Sequence, residues 1–289
     1  MQKDTPGKKC RLLAVDVDGT LVSETGPDDA GAAALRRAAE AGLVVCLCTG
    51  RTWNEVRPVW EQLRLPPPWA PLVCVGGALV VEPQTGRSLY SRPFDRLTAS
   101  ELAEAMRRMG YAVMALVDGW REQFDYYILG DLAGNSAYER FFARRPSRLE
   151  RVDRLDPDGG AATLRISVLD EAAGAAKALA ALRRRFAGRI EVQAIHLRQT
   201  GVHIVEAFAA GTHKLSALKY LGQGLGTAPA AMAAIGDDHN DLAMLKGVGL
   251  SAAPADAPEQ LRQAADMIVA PREGSPVAEF VAAVLAGRE

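Results

Sequence analysis

Two aspartates one residue apart, Asp16 and Asp18, lie in the apolar run Leu12 to Val22, LLAVDVDGTLV. Carboxylates this close repel each other. Either one holds a proton at neutral pH or a cation sits between them. Three further polar clusters stand out: Thr49-Gly50-Arg51, Lys214, and Gly236-Asp237-Asp238-His239-Asn240-Asp241. Grouped carboxylates suit a hard divalent cation, and Mg²⁺ takes one or two carboxylates together with waters and substrate oxygens. A lysine, a threonine hydroxyl and backbone N–H groups suit a phosphate. Combined, they point to phosphoryl transfer, in which a metal screens the charge between an anionic nucleophile and an anionic substrate.

Such a site needs elements that bring distant clusters together. Leu12 to Asp16, Leu43 to Cys48, Pro71 to Val75 and Ala230 to Ile235 are short apolar runs, each of which reads as a buried parallel strand. Each of three clusters directly follows one of these runs. Between the runs lie helical patterns, Pro27 to Gly42, Trp53 to Leu65 (stopped by Pro66-Pro67-Pro68) and Thr212 to Leu221, the last of which holds Lys214. Short loops between alternating strands and helices predict an α/β fold with a doubly wound parallel sheet, whose C-terminal strand ends gather the clusters. A hairpin, Ala78 to Glu82 with Ser88 to Ser91, is expected after the third strand.

From about Arg92 the rhythm changes. Helices are expected over Thr98 to Met109 and Glu171 to Phe186. Strands are expected over Ala112 to Val117, Gln123 to Leu129, Ala162 to Leu169, Ile190 to His196 and Val202 to Ala207. Strands that follow one another or flank one helix suit an inserted α+β domain with an antiparallel sheet. The expected layout is a core of residues 1–91 and 208–289, with an insert of 92–207.

The bulk numbers are those of a globular protein: 289 residues, 48% hydrophobic, formal net charge −1. That balance provides no field for nucleic acid or a membrane surface. The N-terminus, MQKDTPGKKC, lacks a signal-peptide core, and no apolar run approaches a membrane span, so a soluble cytoplasmic protein is expected. Cys10, Cys46, Cys48 and Cys74 form no CxxC pair, and the last three lie in apolar strand patterns, where cysteine acts as a small hydrophobe.

DVDGTL, CTGR, the lysine of GTHKLSAL, and GDDHND resemble, in order, the four motifs of the haloacid dehalogenase superfamily, and the layout resembles its Cof-type sugar-phosphatase branch. The resemblance implies that Asp16 is the nucleophile that forms an aspartyl-phosphate. It makes Asp18 the general acid and base, and Thr49, Gly50, Lys214 and Asn240 the phosphate-binding residues. It implies Mg²⁺ held by Asp16, the backbone carbonyl of Asp18, and Asp237, with Thr20 and Asp241 behind them as supports. The implied substrate is a small phosphorylated metabolite, a sugar phosphate first of all. Other readings are a phosphomannomutase-like phosphotransferase and a non-catalytic phospho-acceptor or binding protein. No sequence feature sets the oligomeric state.

Spacing narrows the likeness. Only 28 residues separate Thr20 from Thr49, too few for a cap, whereas 162 separate Arg51 from Lys214. The insert therefore resembles a type-two cap, which covers the site and selects the substrate. Two departures from the family pattern are Gly76 in place of an asparagine and His213 in place of a serine. Arg51 is read as a structural ion pair and His239 as a solvent-facing loop residue, since Mg²⁺ prefers oxygen to imidazole. His213 is open between a helix N-terminal contact and a substrate contact. In the insert, Arg165, His196, Arg198 and His203 are read singly as sheet-face polar residues, and Trp120, Tyr126 and Tyr127 as packing aromatics.

Overall fold

Leu12–Asp16 is the central strand of an eight-stranded sheet, and all five of its residues are buried. The computed structural model describes residues 10–287 apart from 24–25, 144, 146 and 198–200. Arg198, one of the insert residues singled out from the sequence, lies outside the described residues. The chain divides into two compact units, residues 1–89 with 213–289 and residues 90–212.

In the first unit, Leu12–Asp16 runs parallel to Val44–Cys48 on one side and to Met232–Ile235 on the other. Leu72–Cys74 extends the parallel sheet beyond Val44–Cys48, and Leu250–Pro254 and Met267–Val269 extend it beyond Met232–Ile235. The chain thus builds outward one way from Leu12–Asp16, then returns to build outward the other way. That reversal opens a crevice at the C-terminal ends of the two strands flanking it. The register sets Asp16 beside Cys48 and Val15 beside Ile235, so Thr49 and Gly236-Asp237 leave the sheet at the same level as Asp16. An antiparallel strand, Leu79–Val81, follows Leu72–Cys74, and Ser88–Ser91 completes that edge.

The helices are bounded by their caps. Asp29–Glu40 starts where the Asp28 carboxylate accepts the N–H groups of Ala30 and Gly31. Trp53–Leu63 starts with a capping box between Thr52 and Glu55 and ends at Arg64, in a left-handed conformation. Lys214–Gly224 starts at His213, whose Nδ1 accepts the Ser216 N–H at 3.1 Å. His213 is therefore a helix N-terminal contact, and it sets Lys214 in the first helical turn.

The second unit carries a six-stranded sheet in the order Leu149–Arg151, Tyr126–Leu129, Val113–Val117, Thr163–Asp170, Val202–Ala209, Ile190–Leu197. All pairings are antiparallel except the first, which is parallel. Arg96–Arg108 and Ala172–Arg185 bury Leu102, Met106 and Leu182 with Ile166, Val168 and Val205 of the sheet. The α/β fold with a parallel core sheet and an inserted α+β unit agrees with the sequence expectation.

Some elements differ. The strand expected over Gln123 to Leu129 is only Tyr126–Leu129, because Asp118 accepts the Trp120 N–H and starts a one-turn helix, Gly119–Glu122. Trp120 is consequently exposed on that helix rather than packed on a strand. The third parallel strand stops at Cys74, where Val75–Gly77 turns sharply with positive φ throughout. Met232–Ile235 starts two residues later than expected because Pro229–Ala231 forms a 3₁₀ turn.

Candidate active site

At the end of the central strand, Asp16 is buried and its two oxygens differ. Oδ1 accepts the Lys214 ammonium at 2.5 Å, while Oδ2 has no hydrogen-bond partner. Lys214 is itself buried and also donates to Asp241 Oδ1 at 2.7 Å. The other oxygen of Asp241 accepts the N–H groups of Asp237 and Asp238, both at 3.2 Å. Asp241 thus closes the acidic loop on itself and orients the lysine. This needs Gly236, because a Cβ there would lie 2.4 Å from the Asp241 carboxyl carbon.

Asp237 is the third buried carboxylate. Its Oδ1 accepts the Thr20 hydroxyl at 2.9 Å. Its Oδ2 lies so close to Gly19 that a Cβ there would meet it at 2.2 Å. Ligand oxygens of Asp16, Asp237 and Asp241 all lie within 4.8 Å of one another. Asn240 Oδ1 is also buried without a partner. Thr49 is fully buried, and its hydroxyl accepts the Arg51 N–H at 3.1 Å. Gly50 leaves open space where a Cβ would stand.

Asp18 stands apart. Its side chain is 57% exposed and gripped by Arg51, with Nε 2.9 Å from Oδ2 and Nη2 2.5 Å from Oδ1. Arg51 is therefore an ion pair, and its partner is a residue of the site. His239 is exposed.

Over residues 13–281 the chain matches the model of the haloacid dehalogenase-like hydrolases. The chain belongs to that family. Within it, the likeness is to the Cof-type phosphatases, and this haloacid dehalogenase-like hydrolase is an enzyme of the phosphatase kind. It is 23% identical over 277 residues to the 5-amino-6-(5-phospho-D-ribitylamino)uracil phosphatase YitU of Bacillus subtilis, covering 93% of this chain and 96% of that one. It is 26% identical over 256 residues to an HMP-PP phosphatase of Serratia proteamaculans, covering 87% and 86%. Among solved structures, a haloacid dehalogenase-like hydrolase from Bacteroides thetaiotaomicron shares the fold with a TM-score of 0.74 at 20% identity, over 95% of this chain and 99% of that one. No described helix of this hydrolase is long and apolar enough to cross a membrane.

At the site of this hydrolase three buried carboxylates surround one fully buried cation, Lys214, and their titration reflects it. Burial, with Asp16 and Asp241 nearby, pushes Asp237 up to about 8. Burial and Asp16 push Asp241 up to about 7, against the pull of Lys214. Burial disfavours the Lys214 ammonium, but Asp16 and Asp241 override it and hold the lysine charged. A divalent cation fits this excess. Two of the buried oxygens without partners, Asp16 Oδ2 and Asn240 Oδ1, belong to this site and are hard acceptors. Asp241, with both oxygens engaged, is suited to support rather than ligation.

Two features were missed by sequence reasoning. The Arg272 guanidinium lies on Asp237 Oδ2, with Nη2 at 2.6 Å and Nε at 3.0 Å, and Nε also reaches the Gly19 carbonyl at 3.1 Å. The signal was present: Arg272 lies just beyond the last parallel strand, Met267–Val269, where the strand-end rule that flagged the other clusters applies equally. The second is the turn after Cys74. Gly76 has φ 63 and ψ 14, the left-handed region that asparagine tolerates best after glycine, so glycine serves where relatives of this type often carry asparagine. At Gly77 a Cβ would lie 2.3 Å from the His213 carbonyl oxygen, so this turn packs directly on the start of the lysine helix.

The second unit treats its buried charges differently. Arg165 Nη1 lies 3.1 Å from Glu206 Oε2, Arg165 Nη2 donates to the Tyr126 hydroxyl at 3.2 Å, and Gln193 donates to Glu206 Oε1 at 2.8 Å. His196 and His203 stack with ring centroids 4.7 Å apart. By strand alternation they fall on the face of Val192 and Val205, the face the helices cover, opposite to Arg165 and Glu206.

Proposed function

We propose that this protein is a Mg²⁺-dependent phosphatase that hydrolyses a small phosphorylated metabolite through an aspartyl-phosphate on Asp16. The observation that carries this reading is the asymmetry of the Asp16 carboxylate. One oxygen is tied to Lys214, and the other is buried without a partner at the C-terminal end of the central strand. A desolvated, oriented carboxylate oxygen beside a cation is what attack on phosphorus requires.

Asp16 Oδ2 attacks phosphorus as the ester P–O bond breaks, and Asp18 gives its proton to the departing oxygen. Water then attacks the acyl-phosphate. Asp18 takes the proton, inorganic phosphate leaves, and the Asp16 carboxylate is restored. Lys214 holds one Asp16 oxygen and offsets the added negative charge, with Asp241 fixing the lysine. Thr49, Gly50 and Asn240 receive the phosphoryl oxygens. Mg²⁺ is held by Asp16, the Asp18 backbone carbonyl and Asp237, with Thr20 steadying Asp237. When bound, it screens the charge between carboxylate and phosphate. Asp18 must first leave its Arg51 pair and take up a proton from solvent, and its exposure leaves it free to do both.

The unit of residues 90–212 serves as the cap that selects the substrate. A sugar phosphate is the favoured class, as the Cof-type likeness implies. Two named relatives act on a phosphoribityl compound and on HMP-PP, which supports small phosphorylated metabolites in general.

The test is Asp16→Asn, assayed on a panel of phosphate esters with Mg²⁺. Turnover is expected to fall at least about a thousandfold while circular dichroism stays native, since removing a nucleophile costs most of the chemical acceleration. Hydrolysis by this variant at the wild-type rate refutes the assignment. Isomerised sugar phosphate in place of inorganic phosphate, from the wild-type enzyme, would turn the reading to a mutase.

A further inference from the structure

Of the three carboxylates buried at the site, Lys214 reaches Asp16 and Asp241 but its hydrogen bonds do not include Asp237. Arg272 supplies that charge. Both Nε and Nη2 bond the same oxygen, Oδ2, while the Thr20 hydroxyl bonds Oδ1. A carboxylate oxygen accepts about two hydrogen bonds. Oδ2 is therefore filled, and Oδ1 keeps one acceptor position. Arg272 is also no wandering surface side chain. It is 18% exposed, Nε reaches the Gly19 carbonyl, and the Arg272 N–H donates to Asp256 Oδ1 at 3.1 Å while Nη1 lies 3.4 Å from Asp256 Oδ2. The guanidinium thus bridges the Asp18–Thr20 loop and the acidic loop, the two segments that have to converge on a divalent ion.

We propose that Arg272 is a tethered cation that competes with the metal for Asp237 and so sets how tightly the site binds it. This rests on the reading that Asp16, the Asp18 carbonyl and Asp237 hold the ion. Two effects act together. The guanidinium fills the acceptor positions of one Asp237 oxygen, and its positive charge repels a divalent ion brought to the other. In return, Arg272 holds Asp237 in place before metal arrives, at a site whose carboxylates otherwise repel one another. A plain structural ion pair would act differently, because its loss would leave metal affinity unchanged or weaken it by freeing Asp237 to rotate.

The test is direct binding of Mg²⁺ by titration calorimetry and of Mn²⁺ by electron paramagnetic resonance, on the full chain at one pH. The variants are Arg272→Gln, Arg272→Lys and Asp256→Asn, with Asp237→Asn as control. Arg272→Gln is expected to tighten binding at least about tenfold, the scale of removing one nearby positive charge from a divalent site. Its metal-free melting temperature should fall while the rise on adding Mg²⁺ grows. Arg272→Lys, which keeps the charge, should stay within about threefold of wild type, and Asp256→Asn, which loosens the tether, should fall between. Binding by Arg272→Gln equal to or weaker than wild type overturns the proposal. Should that variant fail to fold, Asp256→Asn decides by the same criterion. Wild-type binding by a folded Asp237→Asn, or no binding by any chain, defeats the metal-site reading and the proposal with it.

Discussion

The two units bury charge in opposite ways. In the second, Arg165 and Glu206 are one cation and one anion at 3.1 Å, with Tyr126 bonded to the guanidinium and Gln193 to the carboxylate. In the first, Asp16, Asp237 and Asp241 crowd within 4.8 Å around one fully buried lysine, and an Asp16 oxygen has no partner. Ionised groups leave water at a cost of several kcal/mol each, so a fold tolerates them only when paired or when something else binds there. The Arg165 cluster is balanced in charge, one cation to one anion. The Asp16 cluster is unbalanced, and its excess negative charge marks it as the place for a cation and an electrophile.

Lys214→Met breaks that contrast most severely. It removes the one fully buried cation from three carboxylates and leaves Asp16 Oδ1 and Asp241 Oδ1 without their ammonium. Removing one partner of a buried ion pair costs about 3–5 kcal/mol, a large part of the stability of a domain. Urea unfolding of the first unit should shift by that amount, and turnover should fall at least about a thousandfold. A variant that keeps wild-type stability would mean that the carboxylates hold protons even beside the lysine, so that the lysine offsets no charge.

The balanced pair makes a sharper test. Arg165→Met alone should destabilise the second unit by about 3–5 kcal/mol, because Glu206 is left buried and charged. Arg165→Met combined with Glu206→Leu should recover most of that loss, since replacing both ions with apolar groups of similar size is close to neutral. No such rescue is expected at Lys214, where one cation serves two carboxylates. If the double variant is as unstable as the single one, Arg165 stabilises by packing and not by charge.

The same contrast explains how far the sequence could be read. Parallel strands are apolar runs that end abruptly in polar residues, so the α/β class and the strand-end clusters were visible. The meeting of Asp16, Thr49 and Asp237 follows from strand register, which puts Cys48 and Ile235 level with the end of Leu12–Asp16. Less visible were contacts made by long side chains from outside those runs. Arg272 reaches Asp237 across 35 residues, and Arg51 turns back to Asp18 across 33. Nothing local in the sequence specifies either partner. Strand alternation also fixes which residues share a face without saying which face the helices cover. His196 and His203 therefore look equivalent to Arg165 until the helices are placed. Caps decided the remaining boundaries, as where Asp118 diverts residues 119–122 into a helical turn.

A last test concerns pH and separates a protonated cluster from an ionised one. Asp237 and Asp241 titrate near 8 and 7 in the folded chain because burial and their neighbours disfavour the charged form. In the unfolded chain an aspartate titrates near 3.9. The folded state thus binds protons that the unfolded state has already released. The resulting stability is complete below about pH 4 and is lost as pH rises toward 8. In EDTA the melting temperature of the first unit should therefore fall steadily from about pH 5.5 to 8.5. Saturating Mg²⁺ should flatten or reverse that slope, because the ion replaces the protons, and Mg²⁺ affinity should rise over the same interval. Asp241→Asn removes one of the two groups and should roughly halve the slope in EDTA. A melting temperature that stays level in EDTA between these pH values would show that Lys214 and Arg272 already keep all three carboxylates ionised, and the first unit's charge would then be as well balanced as the second's.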